Sequence, residues 1–145
     1  MTLKKNALFI SLLVFLVGSA SAKNAQKEQS KEFGDYIVHY NTLPSSFLDS
    51  NIAKQHNFKR SKNRILLNIV IKKKNAASTA DPVPATVTAI ATNLTGQLKQ
   101  TKMRKIHSAK GVYYIGEFNI SNKEYLNFKV TVKPEAQSSI YTLGF

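Results

Sequence analysis

The residues of this chain whose types and spacing suggest chemistry are two clusters of cationic side chains. The first cluster is Lys59, Arg60, Lys62 and Arg64, and the second is Lys99, Lys102, Arg104 and Lys105. An arginine guanidinium can hold a carboxylate or a phosphate through two parallel hydrogen bonds, which suits it to binding an anion. If the fold places the clusters side by side, they form one cationic face. The predicted binding residues for an anionic partner are Arg60, Lys62, Arg64, Lys102, Arg104 and Lys105.

The alternative is that these side chains only form a solvated basic surface. Clusters of charge usually have no dedicated ligand. Lysines on an edge strand also oppose the pairing of one sheet edge with another. The segment Leu98–Ile106, which holds all four residues of the second cluster, is predicted to be such an edge strand.

Three histidines, His39, His56 and His107, are the candidate ligands for a metal ion. They are not arranged in H-x-x-x-H or another local spacing typical of metal ligands, so only the fold could bring them together. A metal-assisted hydrolase that uses clustered histidines with Asp35 is therefore the alternative function. The serines stand outside the known nucleophile motifs. We predict no catalytic residue, no metal site and no cofactor, and the preferred function is a non-catalytic binding module.

The first 22 residues have the three-part pattern of a secretory signal peptide. Lys4 and Lys5 precede an apolar run over Ala7–Val17, and an A-x-A cleavage signal ends at Ala22. The apolar run is shorter than the roughly 20 residues that a membrane-spanning helix needs. We therefore predict cleavage after Ala22, a periplasmic location, and no transmembrane segment in the mature chain. The chain contains no cysteine, so it cannot form a disulfide.

The strong positive charge limits the classes of partner. The sequence has a net charge of +13, or +11 once Lys4 and Lys5 leave with the signal peptide. A basic cytosolic protein would suggest nucleic acid, but export argues against it. The predicted partners are an acidic protein, anionic lipid headgroups or an acidic glycan.

The elements that must position these residues are mainly strands. We predict a flexible leader over 23–31 and a single domain over 32–145, after the signal peptide at 1–22. One short helix is predicted from Asp49 or Ser50 to about His56. The seven predicted strands are Phe33–Tyr40, Ile65–Ile71, Thr86–Thr92, Leu98–Ile106, Val112–Phe118, Tyr125–Lys133 and Ile140–Phe145.

The alternation within these strands predicts how the sheets pack. Ile65–Ile71 is apolar on nearly both faces, which is typical of a strand in the middle of a sheet. Tyr125–Lys133 alternates strictly, so that Phe128 and Val130 face the core. The predicted fold is an all-β, antiparallel two-sheet sandwich of immunoglobulin-like architecture. Its predicted core includes Leu67, Ile69, Tyr114, Phe128 and Val130.

Several segments resemble a known family across most of the mature chain. They are Phe33–Tyr40 (FGDYIVHY), Phe47-Leu48, Arg60–Arg64 (RSKNR), Leu66–Asn68, Asn93–Gln97 (NLTGQ), Tyr113–Ile115 and Phe128–Pro134 (FKVTVKP). On these motifs the chain resembles domain-of-unknown-function family 4426, a family of short exported gammaproteobacterial proteins. The resemblance implies an exported, single, β-rich domain, and it implies no activity. The stretch Lys72–Pro84 does not match the pattern.

Overall fold

The computed structural model describes residues 29–145, so the predicted signal peptide and the first part of the predicted leader lie outside the described residues. Within this range there are ten strands and two short helical segments. The strands are β1 Gln29–Phe33, β2 Tyr36–Pro44, β3 Arg64–Lys74, β4 Ala80–Pro82, β5 Ala85–Asn93, β6 Leu98–Thr101, β7 Arg104–Ser108, β8 Gly111–Asn119, β9 Leu126–Pro134 and β10 Tyr141–Gly144. A 3-10 helix, Ser45–Phe47, and α1, Ser50–Gln55, lie between β2 and β3.

The strands form two antiparallel sheets. The larger sheet has the order β1-β2-β3-β8-β7, with β4 paired to β3, and the smaller sheet has the order β10-β9-β5-β6. The predicted two-sheet sandwich is therefore confirmed. The central position predicted for the strand around Ile65–Ile71 is also confirmed, because β3 pairs with β2 on one side and β8 on the other.

The prediction of one strand over Phe33–Tyr40 was wrong, because a hairpin divides this segment. Phe33 pairs with Tyr36 across the turn residues Gly34 and Asp35. Gly34 has a φ of 58°, a conformation that glycine adopts without the penalty that other residues incur. The chain before the turn therefore folds back as β1, which begins at Gln29, inside the predicted leader.

The predicted strand over Leu98–Ile106 is divided between the two sheets. β6 pairs with β5 in the smaller sheet, and β7 pairs with β8 in the larger sheet. Both are edge strands, as predicted for this segment. The chain crosses between the sheets at 102–103, where the Met103 side chain lies against Gly116 of β8. Between β3 and β5 the chain forms the short strand β4, which pairs with the end of β3.

The main core lies between the two sheets and matches the predicted residues. Leu67, Ile69, Tyr114, Phe128 and Val130 are all buried, and they belong to one cluster. The Tyr114 hydroxyl accepts a hydrogen bond from the backbone N–H of Ala85 at 2.7 Å. This bond connects the larger sheet to the smaller one, and it satisfies a polar group that would otherwise be costly to bury.

A second, smaller apolar cluster lies on the outer face of the larger sheet. Ala53 of α1 and Phe58 pack there against Leu66 of β3. The helix begins where predicted, because the Asp49 carboxylate accepts hydrogen bonds from the backbone N–H groups of Asn51 and Ile52. This packing fixes the segment between α1 and β3, which carries the first cationic cluster. No helix among residues 29–145 is long and apolar enough to cross a membrane.

Candidate functional site

Two of the predicted binding arginines contact one buried carboxylate. Glu117 lies on the outer face of β8, and its side chain is only 8% exposed. Arg64 Nη1 lies 2.9 Å from Glu117 Oε1, and Arg104 Nη2 lies 3.5 Å from Glu117 Oε2. The backbone N–H of Lys59 also donates to this carboxylate, at 3.3 Å. The fold thus joins the two cationic clusters, but it does so around an internal anion.

Arg104 has a further structural role at the end of α1. Its Nη1 donates to the carbonyl oxygens of His56 at 2.9 Å and Asn57 at 2.7 Å. Its guanidinium also lies over the ring of Phe58, 4.5 Å from the ring centroid. A cation at a helix C-terminus satisfies carbonyls that have no partner within the helix. Arg104 therefore holds α1 against the larger sheet.

The other two predicted binding residues of the second cluster lie apart from the Glu117 contact. Lys105 Nζ forms an ion pair with Glu135 Oε1 at 3.0 Å, and the hydrogen bond to Glu135 raises the pKa of Lys105. Lys102 is exposed in the crossover between β6 and β7, and it forms no ion pair with any described residue. The six predicted residues therefore do not form one continuous cationic face.

The loop over residues 59–63 holds exposed cations on a well-supported backbone. The buried hydroxyl of Ser45 donates a hydrogen bond to the carbonyl oxygen of Lys59 at 2.9 Å, and it accepts one from the backbone N–H of Ser61 at 3.0 Å. The carbonyl oxygen of Asn63 accepts a hydrogen bond from the backbone N–H of Ile120 at 2.9 Å. These contacts tie the loop to the 3-10 helix on one side and to the end of β8 on the other.

Lys59, Arg60 and Lys62 are exposed on this loop, and they form no ion pair with the described residues. Arg60 Nη2 donates to the carbonyl oxygen of Ser46 at 3.0 Å, which places the guanidinium beside the 3-10 helix. Phe47, the last residue of that helix, is 79% exposed. An exposed aromatic side chain therefore lies close to an arginine that has most of its donors available.

The same end of the sandwich carries the loop between β5 and β6 of the smaller sheet and the loop from β8 to β9, which connects the two sheets. Lys99 Nζ contacts the carbonyl oxygen of Asn119 at 2.9 Å and Glu124 Oε2 at 2.6 Å, and Asn93 Nδ2 donates to Glu124 Oε1 at 2.8 Å. These contacts bring the loops at 94–97 and 120–125 to the end of β8. We call this end the cationic end; it consists of the 3-10 helix, the loops at 59–63, 94–97 and 120–125, and Leu98 at the start of β6.

Glu124 is held as a carboxylate by its neighbours. The hydrogen bond from Lys99, with further bonds from the backbone N–H of Ser121 and from Asn93, lowers the pKa of Glu124 from 4.5 to about 2. The charge of Glu124 is thus balanced locally, like that of Glu117. Glu117 and Glu124 therefore do not offset the charge of Lys59, Arg60 and Lys62.

The sequence patterns did not predict that several apolar residues at the cationic end are exposed. They are Phe47, Leu94, Leu98 and Tyr125. An available signal was that Leu94 stands between Asn93 and a Thr-Gly pair, where turn chemistry predicts exposure.

A cleft of about 300 Å³ lies between β6 and β8. It is lined by Gln97, Lys99, Gln100, Glu117, Phe118 and Asn119. Its two charged residues, Lys99 and Glu117, already have partners. The cleft therefore offers amide groups rather than a reactive or unpaired charge.

The histidines do not form a metal centre within the described part of the chain. His39 lies on β2, His56 follows α1, and His107 lies on β7. Among residues 29–145 there is no group of three or more His, Cys, Asp or Glu side chains that could hold a metal ion. No observation therefore favours the metal-assisted hydrolase.

The described residues define a small β-sandwich domain with exposed cations and apolar side chains at one end. The family described as "Domain of unknown function (DUF4426)" matches residues 30–145, and the chain belongs to this family. The resemblance inferred from the sequence motifs is thereby confirmed. The crystal structure of a DUF4426 family protein from Pseudomonas aeruginosa PAO1 is similar, with 35% sequence identity and a TM-score of 0.72. The match covers 81% of this chain and 90% of that chain, and no curated protein matches the sequence.

Proposed function

We propose that this protein is an exported, non-catalytic binding domain that recognises an anionic partner through the loop at 59–63. The observation that carries the proposal is the set of exposed cations at Lys59, Arg60 and Lys62, which have no carboxylate partner among the described residues. The chemical groups that would fit are those of an acidic protein, an anionic lipid headgroup or an acidic glycan. Export is supported by the three-part pattern of the first 22 residues.

The hydrogen bonds that hold the loop backbone in place favour a binding site over a basic surface that is only solvated. Ser45 and Ile120 fix the loop backbone from two sides. A binding loop that is already ordered loses less conformational entropy when a ligand arrives. Arg60 is the central residue of the proposal, because its guanidinium is oriented by Ser46 and can still offer paired donors to an oxyanion.

The roles of the remaining predicted residues follow from their partners. Arg64 and Arg104 support the site by holding Glu117, whereas Arg60 and Lys62 contact the ligand. Lys105 is removed from the proposed contact set, since its ion pair with Glu135 directs it elsewhere. Lys102 adds to the long-range positive potential, which salt screens over about 8 Å at physiological ionic strength.

Binding to heparin, a soluble sulfated glycan used as a polyanion probe, tests this proposal. The full chain is expressed and the exported protein is purified. The double variant Arg60→Ala/Lys62→Ala should bind heparin at least about tenfold more weakly, because two charge-assisted contacts are lost. The control is Lys129→Ala/Lys133→Ala, which removes two exposed lysines from the outer face of β9. Equal losses in the two variants would mean that net charge, and not the loop, governs binding.

A further inference from the structure

We propose that the cationic end docks onto an anionic lipid bilayer, with Phe47, Leu94, Leu98 and Tyr125 entering the membrane interface. The inference rests on the proposed function, since Arg60 and Lys62 belong to the same end. It specifies the anionic partner as a lipid surface. It also assigns a role to apolar side chains that a soluble anion would not need.

The apolar side chains are concentrated at this end by the topology. β2, β5 and β8 end here, while β3, β6 and β9 begin here. Of the five large apolar side chains that are exposed among residues 29–145, four lie at this end, with exposures of 62% to 79%. They are Phe47, Leu94, Leu98 and Tyr125. The fifth, Ile140, immediately precedes β10 and lies toward the opposite end.

These side chains extend from the 3-10 helix, from two loops and from the first residue of β6. They are therefore distributed over several separate projections rather than joined in one groove. A lipid interface accepts such separate insertions, because each side chain needs only to enter a fluid layer. A folded protein partner would instead require a continuous complementary surface.

The charges at this end complement an anionic membrane. Lys59, Arg60 and Lys62 are exposed, and Lys123 is exposed in the loop beside Tyr125. The side chains of Glu117 and Glu124 are 8% and 10% exposed, and both are paired with cationic side chains of the protein. Asp49, two residues after Phe47, is an exposed carboxylate, and the four exposed cations outnumber it. The end thus combines apolar insertion with positive charge, and the two together give firmer membrane attachment than either alone.

Vesicle binding tests the apolar part of the inference. The exported protein is mixed with vesicles of phosphatidylglycerol and phosphatidylethanolamine, and separately with phosphatidylcholine alone, and bound protein is measured by flotation. We expect binding to the anionic vesicles only. Phe47→Ser/Tyr125→Ser should bind them at least about tenfold more weakly, since two large apolar side chains no longer leave water. Ile140→Ser is the matched control, and it should bind as the parent does.

A fluorescent side chain gives a second, direct measurement. The chain contains no tryptophan, so Phe47→Trp supplies a single reporter. Its emission should shift to shorter wavelength on anionic vesicles, and lipids brominated on their chains should quench it. Ile140→Trp should show neither effect. A Phe47→Trp reporter that remains in water on vesicle-bound protein would overturn the insertion.

The two proposals fail in different ways. If heparin binding depends on Arg60 and Lys62 but anionic vesicles are not bound, the lipid inference is wrong and the proposed function stands. If neither heparin nor vesicles bind the parent protein, both are wrong. If Phe47→Ser/Tyr125→Ser also loses heparin binding, the apolar side chains maintain the structure of the loop at 59–63 rather than contact lipid. The lipid inference is then also wrong.

Discussion

Arg64 Nη1 lies 2.9 Å from Glu117 Oε1 across the adjacent strands β3 and β8. Leu66 is the residue that pairs with Glu117 in the register, so the Arg64 side chain reaches along the sheet to the carboxylate. Arg104 approaches the same carboxylate from β7. One buried anion therefore joins three strands and the end of α1, and it binds two of the predicted binding arginines.

Glu117→Gln should destabilise the protein, because Arg64 and Arg104 would lose their shared anionic partner. The Glu117 side chain is 8% exposed, so water cannot fully replace the lost contacts. We expect a loss of about 1–3 kcal/mol in the free energy of unfolding, measured with urea. Glu32→Gln is the control, since Glu32 pairs with Lys74 on the surface and should change stability by less than about 1 kcal/mol.

Phe128→Ala should be more damaging than the change at its neighbour Asn127. Phe128 is buried, and its ring contacts those of Phe118 and Phe145 at centroid distances of 5.3 Å each. Removing the ring leaves a cavity in the main core, at a cost of about 3–5 kcal/mol. Asn127→Ala, on the outer face, should have little effect on the urea midpoint. Similar effects at the two positions would contradict the register of β9.

Patterns that are local in the sequence predicted most of this sandwich. The alternation in β9 identified Phe128 and Val130 as core residues, because side chains on a strand alternate between faces. Apolar residues on both faces of β3 indicated its central position in the sheet. The outer face of β3 is buried because α1 packs on Leu66. Asp49 marked the start of that helix, since its cap involves only the next few residues.

Features that depend on distant parts of the chain were not predictable in the same way. The division of Leu98–Ile106 depends on how the crossover packs against Gly116, which lies on a different strand. The partner of Arg64 is 53 residues away, so its spacing in the sequence carries no information about Glu117. The position of the 3-10 helix that carries Phe47 depends on the contact between Ser45 and the loop at 59–63, which no local pattern indicates.

Gly116→Ala should destabilise the crossover between the two sheets. A Cβ at this position would lie 2.5 Å from Met103 Sδ and 2.8 Å from Thr101 Cγ2, so these two side chains at the crossover must shift. Overpacking of this kind typically costs about 1–3 kcal/mol. The measurement is the urea midpoint. Gly144→Ala is the control, because its added Cβ would meet only the Phe128 carbonyl oxygen at 3.6 Å, an ordinary contact.

The stability of the folded protein should depend on pH through the ionisation of Glu124 at the cationic end. Folding lowers the pKa of Glu124 from 4.5 to about 2, chiefly through its hydrogen bond with Lys99. A carboxyl group whose pKa is lowered by folding stabilises the folded state, and this contribution is complete when the pH is above the pKa of the group in the unfolded chain. It is lost as the pH falls through the pKa of the group in the folded protein. The window is therefore from about pH 4.5 down to about pH 2.

Glu124→Gln should be less stable than the parent at pH 7, and the difference should shrink as the pH falls through that window. The free energy of unfolding in urea is measured at pH 7, 4.5, 3 and 2 for each protein. Lys99→Met should also reduce the pH dependence, because it removes the largest cause of the shift. Lys129→Met makes the same chemical change at an exposed lysine on β9 and should leave the dependence intact. A difference between Glu124→Gln and the parent that stays constant from pH 7 to pH 2 would show that the ionised carboxylate is not stabilised by these contacts.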